Sequence, residues 1–138
     1  MKIIKKATSG VTPPTAGVSF TLIDGTEHNG SAFSIAADTT LYNFIAVSVS
    51  WQRGMKPEKL IIIPKKTGAA EAYCMPVGYD FVTDTYIGQA MRNITFTDTT
   101  IAFGATTEAK VKISSGAHTV TANNTSACYV TAIYGIKI

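Results

Sequence analysis

Residues 42–51 read Tyr-Asn-Phe-Ile-Ala-Val-Ser-Val-Ser-Trp, the longest stretch of this chain in which apolar and small polar side chains alternate. Alternation with a period of two is typical of a β-strand that has one buried face. The more apolar of the two sets is expected to face the core. It consists of Asn43, Ile45, Val47, Val49 and Trp51. Residues 128–138 alternate in the same way and predict a second long strand.

The composition supports a β-rich globular domain. Of the 138 residues, 46% are hydrophobic and only 15% are charged, against about 25% charged in an average domain. The apolar share excludes a disordered chain, and Glu, Lys and Arg are too few for a coiled coil. Threonine, with 20 copies, supplies much of the polar surface. Because threonine is β-branched and loses rotamer freedom in a helix, this composition favours strands.

Turn signals recur along the chain and separate short predicted strands. Asp24-Gly25 and Asn29-Gly30 predict hairpin turns, because both central positions of such turns favour positive φ. The run Leu60–Ile63 predicts a strand buried on both faces. Residues 86–90 and 93–96 are predicted as two separate strands.

The pattern as a whole predicts an all-β protein, a single antiparallel β-sandwich of jelly-roll type with roughly eight to ten strands. No window keeps a helical period of 3.6. We divide the chain into an N-terminal strand or attachment arm, residues 1–17, and a sandwich domain, residues 18–138. The division rests on the prolines at 13 and 14, which fix the chain extended and remove two backbone donors.

Charge and segment patterns exclude several classes of partner. The 12 basic and 9 acidic residues give a net charge of +3, too mild and too scattered to indicate nucleic-acid binding. No apolar run approaches the roughly 18 residues of a membrane span. The N-terminus lacks the apolar segment of a signal peptide, so we expect the chain to be made and kept in the cytoplasm of the host.

The sequence contains no motif that indicates a metal, a cofactor or catalysis, so we expect none of the three. His28 and His118 stand alone. Cys74 and Cys128 both lie among apolar residues, which favours buried thiols and leaves one disulfide between them open. A third hypothesis, a small glycan hydrolase or lyase, would need Asp80 and Asp84 to face one another across a groove.

Aromatic residues near turns are the candidates for a glycan-binding site. An aromatic ring at a loop stacks on the apolar face of a sugar, and neighbouring polar groups supply hydrogen bonds. The alternative is that these rings cap the ends of the core. The candidate residues are Trp51, Tyr73, Tyr79, Asp80 and Tyr86.

Residues 42–138 resemble the C-terminal module of tailed-bacteriophage structural proteins, including the tips of tail fibres. The resemblance rests on four stretches and most of all on the ending Tyr134-Gly135-Ile136-Lys137. The stretches are 42–47, 60–64, 94–101 and 130–137.

This resemblance implies a non-enzymatic virion structural protein, a jelly-roll-like sandwich that forms a homotrimer on the particle surface. It also implies contacts with other virion proteins and host attachment through surface glycans, as in a tail-fibre or receptor-binding module. No shaft or collagen-like repeat precedes the module. The alternative is therefore a capsid decoration or head-fibre protein. In either case the stretches 2–6 and 12–17 would serve as the attachment arm by adding a strand to a neighbour.

Overall fold

The all-β prediction is confirmed by a computed structural model that describes residues 17–51, 59–65, 71–76, 81–82 and 85–138, with the backbone alone for 71–76 and 81–82. Residues 1–16, which hold most of the predicted arm, lie outside the described residues. The described residues contain eleven strands. These are β1 (Ser19–Asp24), β2 (Phe33–Ala36), β3 (Phe44–Ser50), β4 (Lys59–Pro64), β5 (Glu71–Pro76), β6 (Phe81–Val82), β7 (Tyr86–Phe96), β8 (Thr100–Phe103), β9 (Thr107–Lys112), β10 (His118–Thr121) and β11 (Tyr129–Lys137).

The first sheet has four antiparallel strands in the order β1-β11-β3-β4. Its two central strands are the two long alternating stretches of the sequence, and they pair from Tyr129 opposite Ser50 to Ile136 opposite Phe44. β1 lies along the other side of β11, with Ser19 opposite Lys137. Strands from both ends of the described domain therefore lie side by side in this sheet.

The second sheet is built around β7, the longest strand, which reaches from Tyr86 to Phe96. β8 and β9 follow one another along one edge of β7, and a short break at residues 104–106 separates them. The order along this side is β10-β9-β7-β8-β2, and β5 and β6 also pair with β7. The prediction of two strands at 86–90 and 93–96 was wrong, because the intervening residues Met91 and Arg92 keep their pairing with β5.

The core lies between the two sheets and confirms most of the predicted inner face of β3. Ile45, Val47 and Val49 are fully buried, and Trp51 packs against the same cluster. The other sheet contributes Ile94, Phe96, Ile101 and Phe103 among others. Such face-to-face packing of antiparallel sheets is a β-sandwich. The jelly-roll connectivity stays a prediction.

Asn43 was wrongly predicted to face the core. Its side chain is exposed, and its Oδ1 accepts a hydrogen bond of 2.8 Å from the Ile138 N–H. Tyr42 packs against the core instead, with its ring directly over the Cα of Gly135. Because the strand begins only at Phe44, the alternation of side chains does not extend back to these two positions.

The hairpin predicted at Asp24-Gly25 was also wrong. β1 belongs to the four-stranded sheet and β2 to the other, so the chain crosses between the sheets after Asp24. The Asp24 carboxylate accepts hydrogen bonds from the Thr26 N–H and from the His28 ring, each through a separate oxygen. These bonds turn the chain away from the strand, and His28 then bridges to Val130 through two backbone hydrogen bonds.

Candidate interaction surface

The predicted glycan-binding residues do not form one site among the described residues. Tyr79 and Asp80 lie outside the described part of the chain, as does Asp84 of the hydrolase hypothesis. Tyr73 was predicted to flank a turn, but it lies in the middle of β5, opposite Ile94 of β7. The prediction failed because residues 71–76 form a complete strand, with the turn signal only at Pro76.

Trp51 and Tyr86 do lie at strand ends, as predicted, but in different sheets. Trp51 follows β3, packs against the core, and accepts a hydrogen bond of 2.9 Å from the Cys128 N–H through its backbone oxygen. Tyr86 begins β7, and the Lys110 Nζ lies 5.0 Å from the centre of its ring. Lys110 Nζ also lies 3.3 Å from a carboxylate oxygen of Glu108. Tyr86 thus combines an aromatic ring with polar neighbours, the feature expected of a sugar contact.

A buried arginine, which the sequence analysis did not single out, holds three loops together. Arg92 projects from β7 into the interior and is only 1% exposed. Its Nε–H donates to the Gly104 carbonyl at 2.9 Å. Its two terminal nitrogens donate to the carbonyls of Asn29, Cys128 and Ser31 at 2.9, 2.8 and 2.6 Å. The loops around residues 30, 104 and 128 therefore share one guanidinium group.

Aromatic rings cover this arginine. Its Cζ lies 5.4 Å from the ring centre of Phe33 and 5.7 Å from that of Phe103, within cation–π range. His28 stacks on Phe33 at 3.8 Å, and its Nε2 lies 2.7 Å from the Asp24 carboxylate. Burial lowers the pKa of Arg92 to about 10, which still leaves it charged at neutral pH.

The thiol of Cys128 lies beside this cluster as a free, fully buried group, as the sequence predicted. Burial raises its pKa to about 12, against the opposing effect of the Arg92 charge. A thiol with that pKa is protonated at neutral pH, whereas the nucleophile is the thiolate. Its φ of 58° turns its carbonyl oxygen towards Arg92.

The described residues offer little for chemistry. Within them, no group of three or more His, Cys, Asp or Glu side chains is placed to hold a metal ion. A cleft of about 210 Å³ opens at the break between β8 and β9 and is lined by Met91, Arg92, Asn93, Ala105 and Thr107. No helix among the described residues is long and apolar enough to cross a bilayer.

The most unusual surface is the outer face of the four-stranded sheet, the side that points away from the core. Register places an apolar or small side chain at each of its positions, and none of these is charged. The outer face consists of Phe20, Leu22, Phe44, Ala46, Ser48, Leu60, Ile62, Pro64, Ala132, Tyr134 and Ile136.

Exposure on the outer face is concentrated on the two border strands. Phe20 and Leu22 of β1 are each 57% exposed, and Leu60 and Ile62 of β4 are 51% and 52% exposed. Ala46 and Ile136, between them, are buried. The prediction that Leu60–Ile63 is buried on both faces was therefore wrong, because β4 borders the sheet and only Ile61 and Ile63 point into the core cluster.

No family model, curated protein or solved structure matches this chain. Its candidate surface therefore has to be judged on its own chemistry. Four strands spaced about 4.8 Å apart make a face of a few hundred Å², about the size of the largest apolar patch on a typical monomer, which is often functional. The sequence did contain this signal: four large apolar residues in a row predict a strand covered on both sides, and the described part of the chain covers only one.

Proposed function

We propose that this chain is a non-enzymatic structural protein of a tailed-phage virion, a jelly-roll-like sandwich displayed on the particle surface and assembled from several copies. The uncharged outer face is the observation that carries the proposal. The largest apolar patch on a protein surface is often a functional contact site. Packing against other copies would remove the exposed side chains of Phe20, Leu22, Leu60 and Ile62 from water.

The phage assignment rests on the resemblance of residues 42–138 to the terminal modules of tailed-phage structural proteins. Within that assignment the favoured role is a tail-fibre or receptor-binding module that attaches to host glycans. Support among the described residues comes from Tyr86, with its ring beside Lys110 and Glu108. The alternative role is capsid decoration or a head fibre, in which the outer face and the N-terminal residues bind the shell.

Analytical ultracentrifugation of the purified chain and of a Leu22→Lys/Ile62→Lys variant tests the assembly. We expect the wild type to sediment as an oligomer at micromolar concentration, with three copies predicted from the resemblance. Each substitution should weaken association by at least about tenfold, because burial of one such side chain contributes about 1.5–3 kcal/mol.

An Ile87→Lys/Val120→Lys variant is the matched control, since these residues are 55% and 67% exposed on strands of the other sheet. It should keep the wild-type mass, and circular dichroism should show all three proteins folded. A monomeric wild type, or equal loss of mass in both variants, would contradict the proposed assembly surface.

Immunogold labelling of phage particles from the source, with an antibody against this chain, tests the location. Gold at the tail tip is the expected result and supports attachment. Gold spread over the head would replace the favoured role with capsid decoration. If a denatured control blot detects the chain in the particles but the intact particles carry no gold, this result would contradict the proposal that the chain lies on the surface of the virion.

A further inference from the structure

The outer edge of β1 is open to pairing with another strand. β1 pairs with β11 along one edge, and no other described strand pairs with it. Its residues from Ser19 to Leu22 are all exposed. None of these four is charged or a proline, the two residue types with which natural proteins commonly protect a sheet edge. Among the described residues, this edge has no strand partner and no residue that disfavours one.

The other border strand of the same sheet carries such protection. β4 begins with Lys59 and ends with Pro64, and Lys65 follows it directly. At the borders of the second sheet, β2 and β10 have four residues each, β6 has two, and β5 begins with Glu71 and ends with Pro76. Short strands and strands with lysine or proline disfavour pairing between molecules. The contrast selects β1 as the edge that accepts a strand.

We propose that β1 pairs edge to edge with β1 of a second copy, in antiparallel orientation around a two-fold axis. The proposal rests on the self-assembly proposed above and names the partner and the contact. The regular register of β1 runs from Ser19 to Leu22 and breaks at a bulge before Asp24. The axis therefore lies near Thr21, and Phe20 of each copy lies opposite Leu22 of the other.

This arrangement suits the side chains of β1. A two-fold axis perpendicular to the sheet keeps Phe20 and Leu22 of both copies on the same face, where an aromatic side chain pairs with an aliphatic one across the strands. The two four-stranded sheets become one continuous sheet, and their outer faces merge into one apolar surface. The only charged residue of the strand, Asp24, remains engaged with Thr26 and His28.

The strength of the contact follows from its size. A paired edge of four residues is about 13 Å long and buries less than the roughly 800 Å² per partner found in stable complexes. Edge pairing alone is therefore weak and depends on concentration. It also predicts an even number of copies, where the resemblance predicts three, so the sedimenting mass separates the two.

Cross-linking with a short bis-maleimide tests the proposal in three variants that each introduce one cysteine, all with Cys74→Ser so that the buried Cys128 is the only native thiol left. Thr21→Cys lies on the core-facing side of the β1 edge, Leu22→Cys lies on the outer face, and Thr119→Cys is a matched threonine on the edge strand β10. Thr21 and Thr119 are both exposed. Edge pairing brings the two Thr21 positions together, so Thr21→Cys should give at least tenfold more cross-linked dimer than Thr119→Cys.

The other outcomes are decisive as well. Cross-linking through Leu22→Cys but not through Thr21→Cys would overturn edge pairing and leave assembly through the outer face intact. No cross-link at either position, in a chain that sediments as a monomer, would overturn both. Equal cross-linking of Thr21→Cys and Thr119→Cys would show random collision and would also overturn the proposal.

Discussion

Arg92 shows at the residue scale how this sandwich is closed. A buried charge needs hydrogen-bond partners for nearly all of its donors. Here backbone carbonyls from three loops fill that role, with Phe33 and Phe103 as the apolar lining. The loops gain a common anchor, and the guanidinium gains a set of acceptors that water would otherwise supply.

Replacing Arg92 should therefore destabilise the fold more than any loss of surface charge. Arg92→Met keeps most of the side-chain volume but leaves the carbonyls of Asn29, Ser31, Gly104 and Cys128 without this donor. We expect the free energy of unfolding, measured in urea by circular dichroism, to fall by about 3–5 kcal/mol. The free energy of unfolding of Arg92→Lys should fall nearly as far, because one ammonium group cannot reach all the acceptors that surround a planar guanidinium group.

Lys112→Met is the matched control for this prediction. It removes a positive charge from β9, on the neighbouring strand, without touching a buried hydrogen-bond network. Its effect should stay within about 0.5 kcal/mol, as for most surface substitutions. An Arg92→Met protein as stable as Lys112→Met would show that the four hydrogen bonds contribute nothing net.

Asp24 predicts a pH dependence of stability. Its partial burial alone would raise its pKa, but the hydrogen bond from the Thr26 N–H and the contact with His28 outweigh this and lower it. A carboxyl with a lowered pKa adds stability above its unfolded pKa of about 3.9, and that part is lost as the pH falls towards the folded value. Urea unfolding of the wild type should therefore show a loss below about pH 4, and Asp24→Asn should lack this component.

Asp38→Asn is a fitting comparison for that measurement. Asp38 caps the short 3₁₀ turn at Thr39–Leu41 by accepting from the Thr40 N–H, a role that the amide oxygen of asparagine also fills. This variant should keep the acid-side slope of the wild type. A slope lost equally in both variants, or kept in Asp24→Asn, would assign the pH dependence to other carboxyls.

At the scale of elements, the sequence predicted which stretches form strands better than it predicted where those strands begin and end. The alternation in 42–51 and 128–138 identified the two central strands of the first sheet, because a period of two is imposed directly by strand geometry. It failed at Met91 and Arg92, which the predicted strands at 86–90 and 93–96 leave out although β7 runs through them. The four carbonyls that satisfy Arg92 come from distant loops, and no local pattern reveals them.

β4 shows the same limit for the candidate surface. Four apolar residues in succession correctly indicate that both sides of the strand are suited to burial. Whether the second side is covered depends on which strands lie beside β4 and on other copies of the chain. Neither can be deduced from the sequence of one strand. Of the five predicted site residues, Trp51 and Tyr86 lie at strand ends as predicted, and Tyr73 does not.

At the scale of the whole molecule, the two sheets differ in what they leave open. The second sheet is organised by one long strand with partners on both edges and carries its exposed apolar residues singly. The first has a continuous uncharged outer face and one unprotected edge, both on the same four strands. The proposed assembly places both features at contacts between copies. The ultracentrifugation variant tests them together, because Leu22 belongs to both, and the cross-linking variants separate them.

The pairing of β1 with β11 has a consequence for how the protein folds. β11 lies between β1 and β3, so the first sheet is incomplete until residues far apart in the chain, such as Ser19 and Lys137, pair with each other. Contacts between residues so far apart in the chain are slow to form, because a long loop must close first. During synthesis the β3–β4 and β7–β8 pairs have both their strands early, whereas β1 and the other edge of β3 wait for β11, the last of the described strands to leave the ribosome. The apolar strands that complete the surface are therefore also those exposed longest to chaperones and to aggregation.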